Sequence, residues 1–169
     1  TRINKDRIKS NLMMMTTIIQ KQPPYYYSYY LIYAPNVVVF RDDDDRLVSP
    51  FRVSVISATA VNYAEVLKKF PKGEKFGLAY KIMKERCRKI VELCISTNIR
   101  VLVLGAFGCG SSKNDPNTIS KIFKEILVDE FYGMKLKNIV FAIKAPPNQK
   151  NDAYEAFKSR FCSKKDSKS

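Results

Sequence analysis

The sequence has no histidine and no tryptophan, and only six of its 169 residues are glycine. Without histidine there is no imidazole to act as a general base, to pair with a serine or cysteine nucleophile, or to ligate a metal. The four cysteines, Cys87, Cys94, Cys109 and Cys162, form no Cys-x-x-Cys pair, which excludes zinc-ribbon and thioredoxin-type sites. No metal and no cofactor is expected. No apolar run approaches the ~18 residues of a membrane helix, and residues 13–19 lack the length and the small-residue cleavage site of a secretory signal. The expected setting is therefore reducing and intracellular, cytoplasmic or nuclear. Acidic residues are also scarce: 16 Asp and Glu face 30 Lys and Arg, a net charge of +14. An excess of that size favours anionic partners, nucleic acid among them. No helix-turn-helix, finger or ribonucleoprotein motif accompanies it.

What is present is enough for one folded domain. Hydrophobic residues make up 46% of the chain, sufficient for a core at this length. Residues 1–30 read as a partly ordered N-terminal segment: charged over 1–9, apolar over 12–19, broken at Pro23 and Pro24, then tyrosine-rich over 25–30. Residues 31–162 read as the domain and 163–169 as a polar tail. Within the domain, apolar runs at 31–33 and 37–40 are separated by Ala34, Pro35 and Asn36. The four aspartates at 42–45 suit a solvated hairpin tip better than a metal site, because adjacent carboxylates on one turn cannot all converge on an ion. The chain returns at Leu47 and Val48, and 51–56 reads as a further strand.

The second half alternates. Phe76, Leu78, Ala79, Ile82, Met83, Cys87, Ile90, Val91, Leu93 and Cys94 recur at helical spacing over 76–97, which makes Cys87 and Cys94 core thiols. Lys81, Lys84, Arg86, Arg88 and Lys89 fall mainly on the other faces. Residues 101–104 and 138–143 are apolar at both alternating sets of positions, the pattern of strands buried on both faces. Residues 116–130 and 151–161 read as helices. Helices alternating with such strands predict an α/β layered sheet.

Between the strand at 101–104 and the next helix lies Gly105-Ala106-Phe107-Gly108-Cys109-Gly110-Ser111-Ser112. Ligands of layered α/β sheets sit beyond the carboxyl ends of the strands, so this is the best-placed site in the chain. The spacing fits neither a P-loop, which needs Lys directly after the last glycine, nor Gly-x-Gly-x-x-Gly. The residues alone leave two readings open: an anion-binding nest of backbone N–H groups, with Ser111, Ser112 and Lys113 adding hydroxyls and a charge, or a glycine-rich turn.

The run from Ile82 to Arg86, the strand and loop from Arg100 to Gly110, and Asn114-Asp115-Pro116 beyond resemble the microbial-type poly(ADP-ribose) glycohydrolase family. So, in order, do the segments 32–42, 51–62 and 141–143. The resemblance covers roughly residues 30–160, the family's C-terminal portion. It implies a macrodomain-like three-layer α/β/α sandwich with a mixed sheet, and a hydrolase relative that binds ADP-ribose or poly(ADP-ribose). The ligand would be held by Gly105, Ala106, Phe107, Gly108, Cys109, Gly110, Ser111, Ser112 and Asn114, with the amides of Gly108, Cys109 and Gly110 donating to the diphosphate. The aromatic–glycine pair that the family carries after the third glycine is Ser112-Lys113 here.

The family's Gly-Gly-Gly stretch and its Gln-Glu-Glu, whose second glutamate is the acid/base, do not occur in this sequence. Residues 7–12 resemble the segment that follows that motif, and Asp6 is out of register with it. No catalytic residue is assigned. Asp115, just past the loop, is expected to cap a helix. Two functional classes follow: an ADP-ribosyl-glycohydrolase-family enzyme or its remnant, which binds ADP-ribose and is expected to be inactive in this chain as given, and a non-catalytic module binding ADP-ribose or nucleic acid.

Overall fold

The computed structural model describes residues 13–15, 30–73, 75–144 and 151–162. The charged stretch 1–9, most of the apolar run 12–19, the tyrosine run up to residue 29 and the polar tail 163–169 lie outside them. The described residues group into two compact units, one formed by 13–15 and 30–59, the other by 60–162.

The first unit is an antiparallel sheet in the order β1 (Met13–Met15), β2 (Leu31–Arg41), β3 (Leu47–Ala58). The aspartate run forms the hairpin tip: the Asp42 carboxylate accepts from the amides of Asp44 at 3.0 Å and Arg46 at 2.9 Å, and Asp45 adopts φ 66°. The two apolar runs at 31–33 and 37–40 are one strand. Asn36 takes φ 57°, and the pairing slips between Ala34 and Val37. Pro35 has no N–H to give the ladder, and Asn tolerates the left-handed region, so the break in pattern is a bulge rather than an end. Leu47 and the run at 51–56 likewise belong to one strand.

The second unit contains α1 (Tyr63–Lys69), α2 (Phe76–Ser96), β4 (Val101–Leu104), α3 (Pro116–Lys124), β5 (Asn138–Phe141) and α4 (Asp152–Phe161). β4 and β5 pair in parallel, Val101 opposite Asn138 and Leu104 opposite Phe141. A parallel ladder needs a crossover, which α3 provides. Ala79, Ile82, Met83, Cys87, Ile90, Val91, Leu93 and Cys94 are buried along α2, as their spacing predicts, whereas Leu78 of the same expected set is exposed. Arg86 shares that face at 2% exposure, a correction to its expected place on an outer face. Phe123 of α3 is fully buried and packs with Phe141 and Phe157, ring centroids 5.6 and 6.4 Å away.

Two expectations change. β4 and β5 are not buried on both faces. Leu102 and Leu104 are buried, but Val101, Val103 and Val140 are 49%, 61% and 47% exposed. The described strands thus form one antiparallel and one parallel sheet. The helix expected over 116–130 also divides: α3 ends at Lys124, and a π-helical turn covers Glu125–Asp129. The Glu130 amide bonds to the Glu125 carbonyl, five residues back, at 2.8 Å. In an α-helix, residues five apart diverge in direction, whereas the wider π turn stacks them on one side. Both carboxylates consequently reach α2. Glu125 accepts from Tyr80 at 2.9 Å and Lys84 at 2.6 Å, and Glu130 pairs with Lys84 at 3.0 Å and takes a two-pronged bond from Arg88.

Among the described residues, no helix is long and apolar enough to cross a membrane, and no cluster of acidic or cysteine side chains could hold a metal ion. The one-sided burial of β4 is testable. Phe123→Ala should cost roughly 3–5 kcal/mol in denaturant unfolding, whereas Val103→Thr should cost less than about 0.5 kcal/mol. A large loss from Val103→Thr would place that side chain in a core.

Candidate functional site

The loop after β4 is held from behind by one side chain. Asn114 is 7% exposed, and its amide nitrogen donates to the Val61 carbonyl at 2.8 Å and to the Gly108 carbonyl at 3.0 Å. Its backbone N–H reaches the same Gly108 carbonyl at 3.1 Å. Asn114 therefore braces the loop with both amide hydrogens in use. Ser112 adds a second tie, its carbonyl accepting from the Ala64 amide of α1 at 3.2 Å. Gly108 is required by this arrangement. It has φ 75°, and a Cβ there would stand 2.6 Å from the Ala60 Cβ and 2.8 Å from the Asn114 amide nitrogen.

Gly110 differs. Its φ lies outside the left-handed region, and a Cβ would meet nothing within 4 Å. The residue is exposed. Nothing in the fold of this unit asks for glycine there. The Cys109 amide closes the turn onto the Ala106 carbonyl at 3.0 Å, so one of the three amides expected to serve a ligand is already engaged. Among the described residues the amides of Gly108, Gly110 and Ser111 donate to no backbone carbonyl. Gly110 and Ser111 are both exposed at the rim of the loop. Lys113 closes the next turn, its amide donating to the Gly110 carbonyl at 3.0 Å, and it does so at φ 56°. A side chain in that conformation costs about 1–2 kcal/mol.

The cysteines of this unit are not activated as nucleophiles. Burial, and after it the Asp115 charge, raises the Cys109 thiol to about 11. Burial likewise pushes Cys87 well above its ordinary range and Cys94 to about 11. Thiols so raised carry negligible thiolate at neutral pH. Asp115 caps α3 as its position predicts, accepting from the Thr118 amide at 2.8 Å, the Thr118 hydroxyl at 2.7 Å and the Asn117 amide at 3.3 Å. Partial burial works to raise its carboxyl, but the Thr118 and Asn117 bonds outweigh it and hold the group below its usual value.

A cleft of about 310 Å³ opens between α1, α2 and α3, lined by Tyr63, Phe76, Tyr80, Met83, Asn114 and Thr118 among others. Tyr63 and Phe76 meet there with ring centroids 5.4 Å apart. Of the residues singled out in and just after the loop, Asn114 and Asp115 line this cleft and residues 105–112 do not. The α1 helix on its wall was not expected. Its sequence signal is Asn62 followed three residues on by Glu65, whose amide bonds the Asn62 side chain at 3.3 Å.

Three outcomes follow from this geometry. Gly108→Ala should destabilise by roughly 2–4 kcal/mol, since it combines a left-handed φ with an overpacked Cβ. Lys113→Gly should stabilise by about 0.5–1 kcal/mol, the released strain exceeding the entropy that glycine adds to the unfolded chain. Asp115→Ala should cost about 1 kcal/mol. Because the folded carboxyl is held low, that contribution is present above the unfolded value of about 4 and fades as pH falls through the folded one. Wild type and Asp115→Ala should therefore converge in melting temperature toward strongly acid pH, and a constant gap would contradict the cap.

The chain matches no protein-family model and no curated protein. Solved structures do resemble it. Poly(ADP-ribose) glycohydrolase from Deinococcus radiodurans, in complex with ADP-ribose, aligns at 31% identity and a TM-score of 0.73 over 80% of this chain and 54% of that one. The enzyme from Thermomonospora curvata aligns at 31% identity and a TM-score of 0.70 over 81% and 49%. This chain thus spans about half the length of the proteins it resembles. The match extends the likeness of the loop sequence to the three-dimensional fold, which is α/β and macrodomain-like, and this chain is a relative of the microbial poly(ADP-ribose) glycohydrolase family.

Proposed function

We propose that the loop at residues 105–112 binds the diphosphate of ADP-ribose, with the Gly110 and Ser111 amides as principal donors and the Ser111 and Ser112 hydroxyls beside them. The observation that carries this reading is Gly110, a glycine that the fold of its own unit does not use. A glycine with open space around its Cβ position and an ordinary φ makes sense where a ligand lies against the backbone. Successive exposed amides are suited to phosphate oxygens, which accept charge-assisted bonds. ADP-ribose is the ligand in the related Deinococcus radiodurans structure. The net charge of +14 suits its polymer as well.

Cleavage of an ADP-ribosyl bond needs a proton donor for the leaving oxygen, worth ~10²–10⁴-fold. The carboxylate nearest the loop in sequence, Asp115, is committed to the α3 cap, and this sequence holds no Gln-Glu-Glu. These 169 residues are therefore read as an ADP-ribose-binding domain of the glycohydrolase family that does not itself turn over polymer. Four free cysteines suit the intracellular setting that this reading implies.

Titration calorimetry with ADP-ribose tests the site. Gly110→Val should abolish binding while leaving the melting temperature within a few degrees of wild type, because the fold has room for the side chain. Binding that survives the substitution would reduce the loop to a turn. A chain-shortening assay on labelled polymer should show no release of ADP-ribose. Release that disappears in Asp115→Asn would make Asp115 the acid and overturn the non-hydrolytic reading.

A further inference from the structure

We propose that Lys113 is a specificity-determining cation of the loop, contacting the phosphate oxygens of a ligand held at the Gly110 and Ser111 amides; this rests on the reading of the loop given above. Five residues other than glycine have a left-handed backbone among those described: Asn36, Asp45, Asn98, Lys113 and Phe131. Three of them are Asn or Asp, whose short polar side chains tolerate that conformation. Lys113 has no such excuse, and it sits on the candidate site. Strain kept where a ligand would lie is a pointer to function when the strain itself is observed.

Position and charge carry the inference further. The bond from the Lys113 amide to the Gly110 carbonyl, 3.0 Å, closes a tight turn, which keeps the two Cα atoms within about 7 Å. A lysine side chain spans that distance and presents a point charge with three rotatable donors. Lys113 is exposed, and among the described residues no carboxylate pairs with it. The nearest acidic group in sequence, Asp115, is occupied by Thr118 and Asn117. A lysine with no ion-pair partner among the described residues therefore lies on the same turn as two exposed amides, within reach of a ligand bound to them. The arrangement favours ligands carrying a diphosphate over uncharged nucleosides, and it ties affinity to ionic strength.

The test is calorimetry of the full chain with ADP-ribose and, separately, with inorganic diphosphate, at low and at raised salt. Lys113→Gln removes the charge and keeps a side chain, Lys113→Gly removes both charge and strain, and Lys113→Arg keeps the charge. Lys113→Gln and Lys113→Gly should each weaken ADP-ribose binding by about fivefold or more and flatten its salt dependence. Lys113→Arg should bind within about twofold of wild type. Lys113→Gly should do this while melting higher than wild type, a split that a structural role would not produce. If ADP-ribose binds wild type, Lys113→Gln and Lys113→Gly alike, the inference fails and the loop reading stands. If diphosphate binds in a Lys113-dependent way but ADP-ribose does not bind, the inference stands and the ADP-ribose reading fails. If neither ligand binds wild type, both fall.

Discussion

A single buried carboxamide sets the shape of the candidate site. Asn114 joins the Val61 carbonyl, at the entrance to α1, to the Gly108 carbonyl at the left-handed corner of the loop. Each acceptor keeps one backbone donor of its own, the Tyr63 amide on Val61 and the Asn114 amide on Gly108, so the side chain adds the second bonds that tie the loop to the entrance of α1, each worth about 0.5–1.5 kcal/mol. With Gly108 fixed, the Cys109 amide is drawn into the turn and the next two amides are left at the rim. The following residue, Asp115, starts α3. One short stretch thus shapes the loop, begins the crossover helix and lines the cleft between α1, α2 and α3.

The second constraint is electrostatic and holds that crossover in place. The π turn after α3 brings Glu125 and Glu130 to the same side, where Lys84 bridges them and Arg88 grips Glu130. These groups are half-buried, so salt screens them less than surface pairs. Hydrogen bonds to Lys84 outweigh the burial that would raise the two glutamates, and both carboxyls lie below their usual value. The network clamps α2 to the far end of α3, while Asn114 works at its near end. A loop suspended between two fixed helix ends keeps its amides oriented before any ligand arrives, which reduces the ordering cost of binding.

Much of this was legible in the sequence, and the failures share a physical cause. Helical periodicity located α2 because one apolar face repeats over 21 residues. The hairpin tip followed from four consecutive aspartates, and the loop followed from its glycines. What sequence could not separate was the reason for each glycine. Gly108 answers to Ala60 and Asn114, which are distant in the chain or hidden in the core, whereas Gly110 answers to nothing in its unit. Asn114 was singled out as a ligand group, and its part in bracing the loop came into view only with its contacts to Val61 and Gly108. Arg86 looked like surface charge and lies in the helix's packed face. Val101 and Val103 looked buried because their neighbours Leu102 and Leu104 are; an unbroken apolar run does not reveal which face is covered. In each case the missing information was a tertiary contact. α1 is different, since Asn62 and Glu65 advertised it locally.

The central claim is that the amides of Gly110 and Ser111, left free by the Asn114 brace, hold an anionic ligand. Amide proton shifts during an ADP-ribose titration of isotopically labelled chain read those groups directly. The account predicts downfield movement of the Gly110 and Ser111 signals that saturates together, with the Cys109 amide, already bonded to Ala106, moving much less. Saturable binding that leaves Gly110 and Ser111 unmoved while shifting signals elsewhere would contradict it.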